Sequence, residues 1–257
     1  MEKLTVIILT HNDEATLTQT IESTQALTNV KRIIIDDHST DATVSIAKKY
    51  HIPFITLGLN NDFASHRNRA LSKAPTDWVL FLDSDESLTP QLCKAINALP
   101  TDPMANASAY RMRRVDTFWK TTIRHGEAGG TWVTRLVNKE RGKFVRPVHE
   151  VWENDGPIEP LAGHLHHYPH PTIAEFLEHV NRYSTIEAGY RARIGKSGDI
   201  VDVVITPVAK FIYTYFVQQG FRDGPAGFVY SFMMSFHSFL VRTKLYQHTD
   251  TTPLWQE

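Results

Sequence analysis

The chain is 257 residues long, with 27 Lys and Arg against 28 Asp and Glu, 42% hydrophobic and 21% charged residues. That composition fills a globular core and excludes a disordered or fibrous chain, and a formal net charge of −1 removes the surplus cations on which non-specific nucleic-acid binding rests. Its one cysteine, Cys93, cannot close an intrachain disulfide, which fits a reducing compartment. In chain order, residues 4–9 and 31–35 are short β-branched runs of the kind that form buried parallel strands. Between them Ala15, Leu17, Ile21 and Leu27 predict a helix over 13–27, with Asn12 or Asp13 able to cap it. Residues 41–50 predict a second helix, 53–57 a third strand, 63–74 a helix carrying His66, Arg67, Asn68 and Arg69, and 78–82 a fourth strand. Such alternation gives an α/β fold, a mostly parallel sheet flanked by helices, with ligands bound beyond the carboxyl ends of the strands.

Composition then shifts. Residues from about 110 to 170 are rich in Arg, Trp, His and Gly with few helical periods, and from 172 onward the chain is helical and aromatic. Three regions follow: 1–100, 101–170 and 171–257. Residues 203–217 and 228–240 read as a C-terminal helical hairpin around a turn at 220–227. The second helix is apolar nearly all round and flanked by Arg222, Arg242 and Lys244, so membrane interface, a partner and the rest of the chain all compete to cover it. The longest uncharged apolar stretch, 225–241, falls short of the ~20 residues that span a hydrocarbon core, and 4–9 is far short of a signal peptide's core. No transmembrane helix is predicted, and the expected location is the cytoplasm.

The residues following the strands carry the chemistry: His11 and Asn12, then Asp36 and Asp37, then 60–62, then Asp83, Ser84, Asp85 and Glu86. Several carboxylates in one crevice repel one another unless a cation neutralises them, which points to a divalent metal such as Mn²⁺ or Mg²⁺ with substrate phosphates completing its shell. The plainer alternative is that Asp83 and Asp85 cap the helix begun by Pro90; the second acidic pair after strand two weighs against it. His164, His166, His167 and His170 tempt toward zinc, but spacing does not show convergence and no cysteine accompanies them. Trp119 and Trp132 suit either sugar stacking or core filling.

Four segments together, Leu9-Thr10-His11-Asn12, Ile35-Asp36-Asp37-His38-Ser39-Thr40-Asp41, Phe63-Ala64-Ser65-His66-Arg67-Asn68-Arg69-Ala70-Leu71 and Phe81-Leu82-Asp83-Ser84-Asp85-Glu86, resemble the nucleotide-sugar domain of family 2 glycosyltransferases. Arg135-Leu136, Val148-His149-Glu150 and His167-Tyr168 through Asn181-Arg182-Tyr183-Ser184 are similar to the later motifs of the lipopolysaccharide-core β-glucosyltransferase branch. The resemblance implies a GT-A fold, with 1–100 as the nucleotide-sugar half, 101–170 as the acceptor and catalytic half, and 171–257 as a helical extension. It makes Asp83 and Asp85 the Asp-x-Asp motif that holds the metal, Asp85 most directly, with His167 able to complete the shell. By the same carry-over Thr10 and His11 line the nucleoside pocket, Asp37 accepts from the base, Arg67 reaches base or diphosphate, and Asp83 and Ser84 contact the donor. An inverting transfer needs a general base. Of Glu127, Glu140, Glu150, Glu153 and Asp155, the one matching the family's His-Glu element is Glu150, whose alternative is an ion pair with Arg146 or Arg135. Trp119, Trp132, Arg135 and His149 are expected on the acceptor side.

The function so implied is transfer of a hexose, glucose from UDP-glucose foremost, to a saccharide acceptor, lipid-linked as in lipopolysaccharide core or another envelope glycan. A membrane surface is the further expected partner. A phospho-accepting receiver domain would use Asp36, Asp37 and Asp83, but here a complete strand and helix precede the acidic pair. A nucleotidyltransferase would need a glycine-rich loop after the first strand, where 9–13 has no Gly. The segment Gln-x-x-Arg-Trp of processive synthases is absent from the chain. A non-catalytic nucleotide-sugar-binding protein would keep the first hundred residues and fail at Glu150.

Overall fold

The computed structural model describes residues 3–99, 107–169 and 172–249. They form two compact units, one of residues 1–115 and 131–168, the other of 116–130 and 169–257.

The first unit begins with β1 (Leu4–Thr10), α1 (Leu17–Ser23), β2 (Val30–Asp36), α2 (Thr43–Lys49), β3 (Phe54–Thr56), α3 (Phe63–Leu71) and β4 (Trp78–Asp83). It continues with β5 (Glu86–Leu88), α4 (Pro90–Asn97) and β6 (Ala109–Phe118), whose last three residues and the short β7 (Thr121–Thr122) fall in the second unit, and then β8 (Trp132–Asn138), β9 (Gly142–Val145), β10 (Val151–Asn154) and β11 (Ile158–His167). The sheet order is β3-β2-β1-β4-β8-β6-β11-β5. The first four strands are parallel, joined by right-sized helical crossovers. From β8 the sheet turns antiparallel, β8 against β4 and β6 against β8, and β11 runs antiparallel to β5. Strand β1 is buried throughout, as expected of the centre of a doubly covered sheet.

Alternation along each strand sorts the core into two layers. Val6, Ile8, Leu80, Leu82, Met112, Leu136, Leu161 and Leu165 face α1 and α4; Ile7, Phe81, Ala109 and Val137 face α3 with Phe144 of β9 and Trp152 of β10. The cap predicted for α1 does not form, and the alternative of an acidic cap on α4 is not taken up. Helix α1 starts at Leu17 after Thr16 with no side-chain cap, because the Asp13 carboxylate is held by the His11 amide, Thr10 and Ser84 instead. Helix α4 is capped by Thr89, whose oxygen accepts from the Leu92 amide, which leaves Asp83 and Asp85 out of the cap.

In the second unit α5 (Ile173–Arg193) is capped by Thr172 and packs on α7 (Gly224–Thr249), which also packs on α6 (Ile200–Ile212). Helix α6 runs into a π-helical turn, Tyr213–Val217, before the 3₁₀ turn Gly220–Asp223. The hairpin thus exists, but most of its exposed apolar surface lies on the first helix, with Phe228 and Phe232 at the start of the second also exposed. Met233, Val241 and Leu245 of α7 are buried, whereas Ile200, Val201, Val204, Ile205, Val208, Ile212, Tyr213, Phe216 and Val217 are exposed. The stretch Ile200–Val217 is long and apolar enough to cross a membrane, although the longest charge-free run in the sequence is elsewhere, because Asp202 and Lys210 interrupt it.

Candidate active site

The carboxyl ends of β1, β2 and β4 gather the predicted residues. Backbone geometry starts the arrangement: Asn12 and His38 take positive φ of 55° and 57°, a conformation Asn and His tolerate better than bulky residues, and it turns the chain sharply after each strand. Asn12 accepts from the Thr40 amide and donates its own amide to Ser39, while Asp36 receives Ser39 through both amide and hydroxyl. The loop after β2 is thereby locked to that after β1. Asp37 Oδ1 accepts from the Leu59 amide at 2.9 Å, and the Asp37 carbonyl meets His11 Nδ1 at 2.5 Å. Thr10 is buried and donates to Asp13; His11 is exposed.

Around β4 an ion cluster forms. Arg67 Nη2 donates to Asp83 Oδ1 at 2.8 Å and Arg135 Nη2 to Asp83 Oδ2 at 2.5 Å, so both oxygens of Asp83 are held by guanidinium groups. Arg67 also donates through Nε to Glu150 Oε1 at 2.5 Å, and Arg135 through Nη2 to Glu86 Oε1 at 2.7 Å. Arg67 is buried because its guanidinium lies against the rings of Phe81 and Phe144, 5.3 and 5.7 Å from their centroids. Glu150 reaches it because α3 grips the β9–β10 turn: the Phe63 amide donates to Pro147, and Asn68 pairs with the Phe144 backbone in both directions. Glu150 therefore finds its ion pair in Arg67, where the sequence offers Arg146 or Arg135 as its partner. Arg135, expected on the acceptor side, is buried among Asp83 and Glu86. His149, beside Glu150, is exposed at φ 52°.

Charges shift accordingly. Burial alone would raise the Asp83 carboxyl, but Arg135 and then Arg67 outweigh it and hold it far below the usual carboxylate range. Burial likewise works against Glu150, and Arg67 and Arg135 bring it below its ordinary value. Asp85 is lowered against its burial by His167, whose Nε2 stands 3.3 Å from Asp85 Oδ2. Asp13 moves the other way, raised by burial and by Asp85 despite its hydrogen bond from Ser84.

Two arginine nitrogens, Arg67 Nη1 and Arg135 Nε, are buried with no hydrogen-bond partner. Unused N–H groups on paired guanidiniums are costly unless an anionic oxygen meets them, so the cluster fits a phosphate-bearing ligand. For a metal, Asp85 and His167 supply an oxygen and a nitrogen donor, and Asp85 keeps a third of its side chain exposed. Among the described residues no three His, Cys, Asp or Glu side chains converge on one point, so a cation there needs ligand oxygens as well, which suits one that rides on a diphosphate.

Two residues with no role in the site assigned from the sequence, Glu86 and Asp13, complete the cluster. Glu86 is fully buried, grips Arg135 and receives the Asp83 amide at 3.1 Å; in sequence it is only the end of an acidic run. Asp13 ties Thr10, His11 and Ser84 together, where sequence offered it as a helix cap. Trp132, 47% exposed, lies under Arg111 at 5.3 Å. In the second unit Trp119 is 43% exposed and stacks on Phe118. His164 and His166 share one face of β11, their rings 4.8 Å apart, and His170 lies outside the described residues.

Residues 5–151 match the family model described as glycosyl transferase family 2. The chain belongs to this family. It is 28% identical over 259 residues to an uncharacterized glycosyltransferase, RP128, of Rickettsia prowazekii (strain Madrid E), covering 95% of this chain and 87% of that one. It is 25% identical over 254 residues to the lipopolysaccharide core biosynthesis glycosyltransferase LpsC of Rhizobium meliloti (strain 1021), covering 95% and 92%. The crystal structure of S. aureus TarS 1-349 superposes with a TM-score of 0.50 at 16% identity, over 97% of this chain and 89% of that chain, and shares the fold. As a family 2 glycosyltransferase with a GT-A fold, the chain is a glycosyl-transferring enzyme and not a receiver domain.

Proposed function

We propose that this family 2 glycosyltransferase is an inverting, metal-dependent hexosyltransferase that uses a UDP-sugar, UDP-glucose foremost, and a lipid-linked saccharide acceptor at the inner face of the cytoplasmic membrane. The observation that carries it is the pair of buried, unused guanidinium N–H groups on the two arginines that hold Asp83 at the carboxyl end of β4, two residues before Asp85. Asp37 accepts an N–H of the base, with Thr10 and His11 along the nucleoside. Arg67, held by Asp83 and Glu150, offers its remaining N–H to the diphosphate, and Ser84 lies at the same edge. Asp85 and His167 hold the divalent cation, which when bound supplies Lewis-acid stabilisation of the departing nucleoside diphosphate. Asp83 acts through arginine: it neutralises and aims Arg67 and Arg135, since both its oxygens are already engaged.

Glu150 takes the proton of the acceptor hydroxyl as that oxygen attacks the anomeric carbon opposite the leaving group, giving a β product from an α-linked donor. Arg67 engages Oε1, and Oε2 is the oxygen proposed to receive the proton. The proposal for a lipid-linked acceptor leans on the exposed α6 face and on likeness to LpsC.

Calorimetric titration of UDP, GDP and ADP with and without Mn²⁺ tests the donor site. Wild-type protein binds UDP only with metal, Asp85→Ala does not bind it even with Mn²⁺, and Asp37→Ala weakens UDP roughly tenfold, the value of about one hydrogen bond to a charged group. Absence of binding by all three nucleotides overturns the reading. Metal-dependent UDP binding with no transfer to any acceptor marks a non-catalytic binder instead.

A further inference from the structure

The sheet does not stop at the ion cluster. Asp83 lies two residues past Phe81 on β4 and so on the face of the sheet that α3 covers. Antiparallel pairing of β8 with β4, Leu136 beside Leu80 and Trp78 beside Asn138, brings the start of β8 alongside the carboxyl end of β4, and the contact of Arg135 with Asp83 fixes it there. On β6 the partner of Trp132 is Arg113, and the partner of Thr134 is Arg111. Cross-strand partners share a face. Met112, between the two arginines, is buried in the opposite layer with Leu161 and Leu165 of β11, so Arg111, Arg113, His164 and His166 point away from that layer. His164 feels both neighbours: burial, then His166 and Arg113, lower its basicity.

Five side chains therefore sit side by side on three adjacent strands, on the same face as Asp83 and at the same end of the sheet. Arg111 and Arg113 are exposed, and Trp132 keeps 47% of its surface open although Arg111 stacks on its ring. Such an aromatic surface is not consumed as core, and it lies on a strand whose other end is fully buried. The acidic residues of β6, β8 and β11 are Asp116, which is buried, and Glu159, which alternates with the opposite layer and acts on Tyr110 there. The face is thus cationic and aromatic.

We infer that the open sheet face formed by Arg111, Arg113, Trp132, His164 and His166 is an acceptor subsite for an anionic saccharide, a sugar ring bearing phosphate or carboxylate. The indole offers a flat apolar platform to the C–H face of a pyranose, and two planar guanidiniums offer paired donors to the anionic group. The imidazoles of His164 and His166 border that group on β11. Because the subsite continues the face that carries Asp83, a sugar seated on Trp132 extends toward the donor crevice. This inference rests on the glycosyltransferase reading and names the charge class of its acceptor.

The test is an NMR titration of the full chain with glucuronate, glucose 6-phosphate, glucose and inorganic phosphate, following tryptophan indole and histidine ring signals, with Trp132→Phe to assign the indole. The Trp132 indole and the His164 and His166 rings move with both anionic sugars at affinities on the order of millimolar, and Arg111→Gln with Arg113→Gln weakens them at least about fivefold. UDP affinity of that double variant stays at the wild-type value. Equal responses to glucose and glucuronate, equal responses to inorganic phosphate and glucose 6-phosphate, or no response at all each overturn the inference. The UDP titration on the same sample reports separately on the donor reading, so the two fail independently.

Discussion

As the proposed base, Glu150 joins two roles that pull against each other. Its ion pair with Arg67 positions the carboxylate but lowers its proton affinity, and a base held below the ordinary range stays ionised throughout the neutral and mildly acid region. The expected kcat/KM profile consequently shows no acid limb from Glu150 between pH 5 and 7; an inflection there that vanishes in Glu150→Gln would point to a carboxyl with a raised value and contradict the pairing. Glu150→Gln itself is expected to lower kcat by 10²–10⁴, roughly the contribution of a positioned base, with UDP affinity nearly kept. The same lowered carboxyls link folding to pH. Asp83, Asp85 and Glu150 titrate lower folded than unfolded, so they add stability above the unfolded value near 4 and lose it as pH falls through their folded values. Asp13, raised, works in the opposite sense. Urea midpoints are expected to drop below about pH 4, and less steeply in Asp83→Asn; a slope unchanged by that substitution would remove Asp83 from the acid transition.

At the scale of elements, much of the site's geometry depends on how closely strands and helices approach. Gly163 of β11 has φ 99°, and a Cβ there would stand 2.5 Å from the Leu92 amide nitrogen and 2.8 Å from its Cα. Backbone of α4 cannot yield as a side chain could. Gly163→Ala is expected to cost about 2 kcal/mol or more through strain and clash, read as a lowered Tm, whereas Gly130→Ala, with nothing near, is expected to change little. Equal melting temperatures for the two would show that β11 can shift away from α4. That matters for function because β11 carries His167 at its end, opposite Glu86 of β5. The helices of the first unit were legible from spacing, since Leu17, Ile21, Val44 and Ala47 recur on one face. Their starting points were less so: Asp13 has the chemistry of a cap but finds Ser84, Thr10 and the His11 amide first.

For the molecule as a whole, the exposed apolar residues of the described chain concentrate in the second unit. On α6 and the π-helical turn the exposed residues recur at Val201, Val204, Ile205, Val208, Ile212, Tyr213 and Phe216, one stripe along the helix, joined in the same unit by exposed Phe221, Phe228 and Phe232. A stripe of this length exceeds the scattered apolar residues of an ordinary surface and suits the headgroup boundary of a bilayer. Flotation with phosphatidylglycerol-containing vesicles is expected to carry the wild-type chain, and Val204→Asp with Val208→Asp to leave it in the dense fraction with UDP binding intact. Concentration-dependent dimerisation without flotation would assign the stripe to a second copy instead.

What the sequence by itself determined was the family and the parallel half of the sheet, because strand runs, helical spacing and the motifs at the strand ends are local patterns. It also placed Thr10, His11, Asp37, Asp83, Ser84 and Asp85 at one edge, since residues directly after parallel strands meet there whatever else happens. Only the tertiary structure decided partners. Arg67 and Glu150 are 83 residues apart and Arg135 and Asp83 are 52 apart, and nothing local says which arginine a carboxylate will meet. Burial of Glu86, the exposed apolar stripe of α6, and the grouping of Arg111, Arg113, Trp132, His164 and His166 follow from the same cause: which elements lie next to a given face is chosen by long-range packing, although alternation tells which residues of a strand share that face.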